Sequence, residues 1–386
     1  MGLHINVNKP ERATEQNEKE VYMTSNLYQK LQKQLDQYSV GYPTTKSGVE
    51  IKILKRLFTD EDAETFLQLS MLPETSETIA LRGGSNPAQI DALLDEMYKK
   101  GLVYRHIKGE TVKYGAVPFI EGVYEYQVKS MDRELAQMFE DYVQEALHKN
   151  LTETKPLLIH RPIAINQTIN MSFPIPTYEN SRKIIQDQKL IAVTDCICRV
   201  QKGLIEKGCD KLLETCFMFG SPARYFIERG IGRQVSIDEA FHILDVCEEA
   251  GLVTMPFNTQ SPVNLCNCCP DCCIILNNLK KFPCPAKMVK ANYRAIVDPK
   301  KCEACDTCLD RCPMDAISRG EAGVESINPD RCIGCGLCVS TCPAEALHLE
   351  AKPKNQRYEP PETGQHFYKD MAQKRGKTLV PLAMVK

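Results

Sequence analysis

The sequence that decides the fold of the C-terminal part is a duplicated stretch: "DPKKCEACDTCLDRCPMDAI" at residues 298–317 and "NPDRCIGCGLCVSTCPAEAL" at residues 328–347. Each copy begins with Asp or Asn before Pro and continues with four cysteines spaced C-x2-C-x2-C-x3-C-P. Each copy then ends in an acidic residue, Ala, and Ile or Leu. A duplication in which every cysteine recurs thirty residues later indicates one structural unit that is used twice.

The cysteine spacing predicts two sets of metal ligands that cross between the copies. C-x2-C-x2-C wraps around one face of an iron–sulfur cube, whereas the fourth cysteine, followed by Pro, leaves that loop and reaches the other cluster. Zinc also binds C-x2-C pairs, but it does not require eight cysteines in duplicated triplets. We therefore predict one [4Fe-4S] cluster on Cys302, Cys305, Cys308 and Cys342, and a second on Cys332, Cys335, Cys338 and Cys312.

Residues 291–350 resemble a bacterial-type ferredoxin domain with two [4Fe-4S] clusters, because both motifs match without a gap. The resemblance implies a ferredoxin-like fold and one-electron transfer at low potential. No G-x-G-x-x-G and no G-x-x-x-x-G-K-[ST] motif accompanies the cysteines, so the chain lacks a sequence signal for a flavin, a nicotinamide or a nucleotide. The sequence thus predicts an electron-transfer component more readily than a complete enzyme.

The composition is that of a globular protein of two or three domains. The chain has 386 residues, of which 43% are hydrophobic and 25% are charged, with a net charge of −2. This balance gives no general electrostatic reason to expect nucleic acid or an anionic membrane as a partner. No apolar run approaches the roughly 20 residues of a membrane helix, and the first residues lack the apolar segment of a secretory signal. We therefore expect a cytoplasmic location.

All 19 cysteines lie between Cys196 and Cys342. In the cytoplasm thiols are kept reduced, so these cysteines are predicted to bind metal. Residues 190–193 predict a short buried strand that ends at the first two of them. Four thiols within 21 residues match the requirement of one further cluster; buried inert thiols and zinc are the alternatives. The predicted ligands of this third cluster are Cys196, Cys198, Cys209 and Cys216. Arg199 would offset thiolate charge there, or would be an ordinary surface cation.

The stretch "CNCCPDCC" at residues 266–273 holds five cysteines. Its C-x2-C-x2-C triplet predicts ligands for a fourth cluster, or co-ligands of the third: Cys266, Cys269 and Cys272. Cys268 and Cys273 are expected to point away, and Cys284 or a thiol of 196–216 would complete the set. A Cys-x-Cys-Arg element, a Cys-Asn-Cys-Cys run and a ferredoxin tail together are similar to iron–sulfur proteins of anaerobic metabolism. That resemblance names no reaction.

Residues 45–127 resemble a winged-helix domain. Helices are predicted to begin at Thr59 and at Ser85 or Asn86, the latter ending at Gly101, and a hairpin follows. Winged helices commonly bind DNA, but the predicted recognition helix carries three acidic residues against two lysines, which the phosphate backbone repels. We therefore expect a protein-docking or structural role, with a redox-sensing transcription regulator as the alternative.

The predicted fold class is α+β. The predicted divisions are a polar leader at 1–44, the winged-helix-like domain at 45–127, a connector of helix and strand at 128–189, a cysteine-rich domain at 190–290, the dicluster ferredoxin domain at 291–350 and a basic tail at 351–386. The tail has eight Lys or Arg against three Asp or Glu, and would be a solvated end or a docking arm for an acidic partner. Between the cysteine fields, Cys247 lies on the apolar face of a helix capped at Ser236 and is predicted to be a core residue.

The predicted function is electron transfer as a ferredoxin-like subunit or partner of a larger oxidoreductase in anaerobic metabolism. Besides the transcription regulator, an enzyme with an open iron site in the cysteine-rich domain is the other alternative.

Overall fold

The computed structural model describes residues 26–147, 159–164, 176–320 and 325–384. In this part of the chain no helix is both long and apolar enough to cross a bilayer. The helices span 26–35, Val49–Leu57, Asp60–Phe66, Ser76–Gly83, Pro87–Lys100, Arg133–Tyr142, Ser181–Gln186, Ile197–Leu204, Gly220–Glu228, Ile237–Glu249, Ile274–Lys280, Pro285–Met288, Thr307–Arg311, Leu337–Ser340 and Gly364–Lys374. The strands are β1 (Tyr104–Lys108), β2 (Thr111–Gly115), β3 (Ile191–Asp195), β4 (Glu214–Phe219), β5 (Arg233–Gln234), β6 (Val253–Pro256), β7 (Asn264–Cys268), β8 (Tyr293–Val297), β9 (Ile317–Arg319), β10 (Glu325–Ile327) and β11 (Leu347–Ala351).

Helices followed by a hairpin form the N-terminal part, in the order that the sequence predicts. Thr59 caps one helix through a capping box with Asp62, and Asn86 caps Pro87–Lys100, which ends at Gly101 with φ 77°. These signals are confirmed because a short polar side chain satisfies free N–H groups at each start, and Gly adopts the left-handed conformation at the end. Strands β1 and β2 then pair antiparallel. The winged-helix assignment itself stays a prediction.

Both ends of the described chain are folded onto each other, which corrects two expectations. Residues 26–44 were assigned to a polar leader, yet the helix at 26–35 buries Tyr28, Leu31 and Leu35 in the main core. The basic tail contributes the helix Gly364–Lys374 to the same core. Beyond it, Arg375 and Lys377 both form ion pairs with Asp36, at 3.0 and 2.7 Å. Apolar residues at helical spacing, and not the mean polarity of a segment, decide whether it packs against the core.

A five-stranded antiparallel sheet organises the cysteine-rich domain, with the strand order β5-β3-β4-β7-β6. The strand predicted at residues 190–193 is confirmed as part of β3. The helix Ile237–Glu249 is capped by Ser236, as predicted. Strand β7 pairs with β4 although β7 begins at Asn264, 45 residues after β4 ends at Phe219. This long-range pairing sets the cysteines of β7 beside the cysteine of β4.

The two C-terminal copies are related by internal symmetry that extends to the backbone dihedral angles. Residues at equivalent positions adopt positive φ in both copies, and these pairs are Ala304 and Gly334, Asp306 and Gly336, and Asp315 and Glu345. Strand β8 pairs with β11, and β9 with β10. Two arginines bind this unit to the cysteine-rich domain through carbonyl oxygens. Arg311 donates to Glu248 and Glu249, and Arg331 donates to Lys280 and Phe282.

Candidate metal centres

The first predicted ligand set lines a single cavity. Cys302, Cys305, Cys308 and Cys342 surround it together with the loop between the first three cysteines. Cys305 is exposed and Cys308 is buried, so the cavity lies at an edge of the protein. The backbone N–H of Ala346 donates to the sulfur of Cys342 at 3.3 Å. Such N–H donors stabilise the negative charge of a thiolate ligand.

The second predicted set is more deeply buried. Burial raises the pKa of Cys312, and the neighbouring Cys332 thiol adds to that effect. Burial likewise raises the pKa of Cys335 to about 12, and the Cys312 and Cys332 thiols add to this shift. Cys338 interacts with all three of these thiols and with Cys308 of the first set. Ala316 donates its N–H to Cys312 at 3.3 Å, the counterpart of the bond from Ala346. The fourth cysteine of each copy therefore lies with the triplet of the other copy.

Six further cysteines form a closed ring around an enclosed, largely apolar cavity in the cysteine-rich domain. Each ring thiol interacts with two neighbours. In ring order they are Cys196, Cys198, Cys273, Cys268, Cys266 and Cys216. We call this set the thiol ring. The end of β3 and the helix after it supply two members, β4 supplies one, and β7 with the helix after it supplies three. One cubane needs four thiolates, so the ring offers two more than that.

Charge within the thiol ring is shared between neighbours and balanced by a buried guanidinium. Interactions with Cys198 and Cys216 hold the pKa of Cys196 well below its usual value. Arg199 is 2% exposed and donates to the carbonyl oxygen of Asn267 at 3.3 Å. Burial opposes the charge of Arg199, but the Cys196 and Cys216 thiolates raise its pKa. The sequence prediction that Arg199 offsets thiolate charge agrees with this position.

Three other thiols form a second group, next to Arg199. Cys209, Cys269 and Cys272 have sulfur atoms within 4.8 Å of one another, and Cys209 and Cys269 are 3.7 Å apart. We call them the three-thiol site. Hydrogen bonding from Cys272 lowers the pKa of Cys269 to about 5, and Arg199 contributes to the shift. Cys247 is fully buried against Cys269 and Cys272, in agreement with its prediction as a core residue.

Polar side chains also line the ring cavity, among them His160, Glu121 and Asn264 of β7. His160 is 3% exposed, and its Nε2 lies 2.9 Å from Asn264 Oδ1 and 3.7 Å from Cys266 Sγ. Asn264 donates to Glu121 at 2.6 Å, and Glu121 adopts a left-handed conformation with φ 67°. Burial, followed by the charge of Glu121, raises the pKa of Glu125 well above its usual value. An imidazole and two carboxyl groups could thus hold and exchange protons beside the ring.

The structure divides the upstream cysteines differently from the sequence grouping. Of the predicted third set, it brings together Cys196, Cys198 and Cys216, and places Cys209 in the three-thiol site. Of the predicted triplet at 266–272, the structure places Cys266 in the ring, and Cys269 and Cys272 in the three-thiol site. Cys268 and Cys273, which were expected to point away, are members of the ring. Cys284 lies outside both groups and has Lys287 Nζ at 3.9 Å.

Comparison with known proteins bears on the C-terminal unit. Residues 294–357 match the family model of the 4Fe-4S dicluster domain. Comparisons with curated proteins and with solved structures gave no significant match. The paired four-thiol sites and their N–H donors fit two [4Fe-4S] clusters, so the match and the geometry agree. A 4Fe-4S dicluster domain indicates iron–sulfur binding and a role in electron transfer.

Apolar packing connects the dicluster domain to the thiol ring. Cys268 and Cys273 of the ring share one buried cluster with Cys335 of the second four-thiol site, and Cys312 packs against that cluster. A separate cluster joins Cys308 of the first site to Cys338 of the second. Buried side chains therefore connect the two four-thiol sites and the thiol ring in sequence, from the exposed edge at Cys305 to the ring.

Gly334 provides a direct test of the second four-thiol site. A Cβ atom at this residue would overlap the carbonyl oxygen of Tyr293, and its φ of 68° strains any other residue by about 1–2 kcal/mol. We expect Gly334→Ala to displace the ligand loop 332–335 and to lower the iron content by about four atoms per chain, the content of one cluster. Colorimetric iron analysis after anaerobic purification measures this loss.

The matched control is the equivalent position of the first copy. Ala304 has a φ of 55°, so Ala304→Gly relieves backbone strain and should retain the full iron content. A Gly334→Ala protein with as much iron as the wild type would contradict the close approach of this loop to Tyr293.

Proposed function

We propose that this protein is an iron–sulfur electron-transfer protein in which the thiol ring holds a third iron–sulfur centre. Electrons pass between the exposed edge at Cys305 and the ring, and the protein serves as a subunit or partner of a larger oxidoreductase of anaerobic metabolism in the cytoplasm. The observation that carries the proposal is the shared apolar cluster of Cys268, Cys273 and Cys335. A dry, packed connection of this kind holds donor and acceptor thiols at fixed separation.

The charges of the N-terminal part support a docking or structural role over DNA binding. Arg82 pairs with Glu74 at 2.5 Å, and Lys99 pairs with two carboxylates of its own helix. Arg105 pairs with Asp95 and Glu228. These pairs place carboxylates beside the cations, and carboxylates repel the phosphates whose neutralisation is the main source of affinity for DNA.

Removal of the second four-thiol site tests whether electrons pass through it to the ring. In the Cys312→Ser variant, we expect a protein reductant such as a reduced ferredoxin to leave the ring centre oxidised. In the wild type, we expect the same reductant to reduce the ring centre. The physical reason is that Cys312 packs against the apolar cluster joining the dicluster domain to the ring. Freeze-quenched EPR, recorded after anaerobic mixing, follows each centre separately.

Cys284→Ser is the control, because Cys284 belongs to neither four-thiol site, nor to the thiol ring, nor to the three-thiol site. It should show wild-type reduction of the ring centre. Equal rates of ring reduction in Cys312→Ser and in the wild type would contradict the proposal. Changes in the EPR spectrum of the ring centre on addition of a small substrate would instead favour an enzyme, for which His160, Glu121 and Glu125 would supply protons.

A further inference from the structure

The three-thiol site has the dimensions of a site for one metal ion. A zinc–sulfur bond is about 2.3 Å long, so two thiolates of a tetrahedral zinc ion are about 3.8 Å apart. Cys209 and Cys269 are 3.7 Å apart, and all three sulfur atoms lie within 4.8 Å of one another. Among the described residues, this is the one group of three or more Cys, His, Asp or Glu ligands that meets this spacing. The four-thiol sites of the dicluster domain are wider, as a cubane requires.

Two short segments hold the three sulfur atoms in place. Cys269 and Cys272 flank a two-residue turn in which Asn277 donates to the carbonyl oxygens of Pro270 and Asp271, at 3.1 and 3.2 Å. Cys209 comes from the loop after the helix Ile197–Leu204, and this loop is bound to the end of the helix Ile237–Glu249 by Lys211, which donates to Ala250 at 2.6 Å. A metal ion here would join two segments that are 60 residues apart in sequence.

The local charge favours a small thiolate site. The buried Arg199 guanidinium interacts with Cys269 as well as with the thiol ring. The backbone N–H of Lys211 donates to the sulfur of Cys209. These donors offset part of the negative charge that three thiolates bring to a divalent ion. Soft sulfur ligands in a tetrahedral arrangement select zinc or iron.

We propose that Cys209, Cys269 and Cys272 bind one zinc ion, separate from the iron–sulfur centres, with the fourth tetrahedral position left to another ligand. The vicinal pairs Cys268-Cys269 and Cys272-Cys273 then each serve two different centres. One thiol of each pair faces the ring and the other faces the zinc ion. This division accounts for five cysteines in eight residues.

Metal analysis of the full-length protein, purified without oxygen, tests the proposal. We expect about one zinc per chain in the wild type, loss of that zinc in Cys209→Ser and in Cys272→Ser, and unchanged iron in both. Zinc X-ray absorption should show sulfur neighbours at about 2.3 Å and no iron neighbour. Cys284→Ser should retain both metals.

Two results would overturn the proposal. One is a loss of iron instead of zinc in Cys209→Ser, which would assign these thiols to an iron–sulfur centre. The other is zinc that persists in Cys209→Ser, which would mean that zinc occupies cysteines elsewhere, such as the dicluster domain. The unchanged iron content also reports that the variants are folded. The zinc result is independent of the proposed electron transfer, which depends on iron in the ring.

Discussion

Replacement of Cys216 and Cys266 by serine will remove the third iron–sulfur centre and leave the dicluster domain loaded. These neighbours in the ring lie on the paired strands β4 and β7. The four thiols that remain, Cys196, Cys198, Cys273 and Cys268, are consecutive in the ring, so they no longer surround the cavity although their number would suffice for one cubane. We expect the iron content to fall to about eight atoms per chain, the content of two [4Fe-4S] clusters, and the EPR signal of the ring centre to disappear.

Cys247→Ala is the matched control for this double substitution. Cys247 is as deeply buried as the ring thiols, but it packs in a separate cluster, so its replacement should leave the iron content unchanged. A wild-type protein with only about eight iron atoms per chain would contradict the proposed centre directly. So would a double variant that retains all of the wild-type iron.

The dicluster domain could be predicted from the sequence because its ligand pattern is local. Three ligands of each site lie within seven residues, and the Pro after the fourth cysteine, Cys312 or Cys342, turns that ligand toward the other copy. The geometry of the two four-thiol sites follows this pattern. The positive φ of Ala304 and Asp306 was not predicted, because Ala carries no signal for this conformation and Asp only a weak preference for it. Their glycine counterparts in the second copy were the available signal.

The thiol ring could not be predicted in the same way, because a sheet assembles it. The sequence analysis applied a spacing of three residues to 266–272, whereas β7 continues to Cys268 and side chains on a strand alternate with a period of two. Cys266 and Cys268 therefore point to the same side. The turn at Pro270 then separates the next two thiols from them. That β7 pairs with β4, and so meets Cys216, is a long-range contact that no local pattern encodes.

Arg161 is among the largest fully buried side chains of the described residues, and the structure gives it charged and polar partners. Arg161 is fully buried and donates to Glu179 at 2.7 Å and to the carbonyl oxygen of Tyr178 at 2.7 Å. Glu179 also accepts from Asn292 at 2.8 Å, and Asn292 in turn accepts from the N–H of Tyr358 at 2.7 Å. This network joins the segment predicted as a connector, which contains Arg161 and Glu179, to the start of the dicluster domain and to the C-terminal segment.

Arg161→Ala should destabilise the protein by about 3–5 kcal/mol, because it leaves the Glu179 carboxylate buried without its counter-charge. Burial already raises the pKa of Glu179, and Arg161 opposes that rise. In the variant the folded protein therefore holds a proton on Glu179 at pH values where the unfolded chain has released it. Since the folded state binds more protons, stability falls as the pH rises. The deficit relative to the wild type should accordingly be larger at pH 8 than at pH 5, measured by anaerobic urea unfolding.

A double variant distinguishes the loss of charge balance from a simple loss of packing. Arg161→Met with Glu179→Leu removes both charges and keeps apolar volume, so we expect it to be more stable than Arg161→Met alone, with little dependence on pH. Replacement of a buried ion pair by apolar side chains is often neutral, whereas removal of one partner is not. If the single and double variants lost the same stability, the buried charge of Glu179 would not be the cause, and the contacts of Arg161 with the backbone of Tyr178 would be.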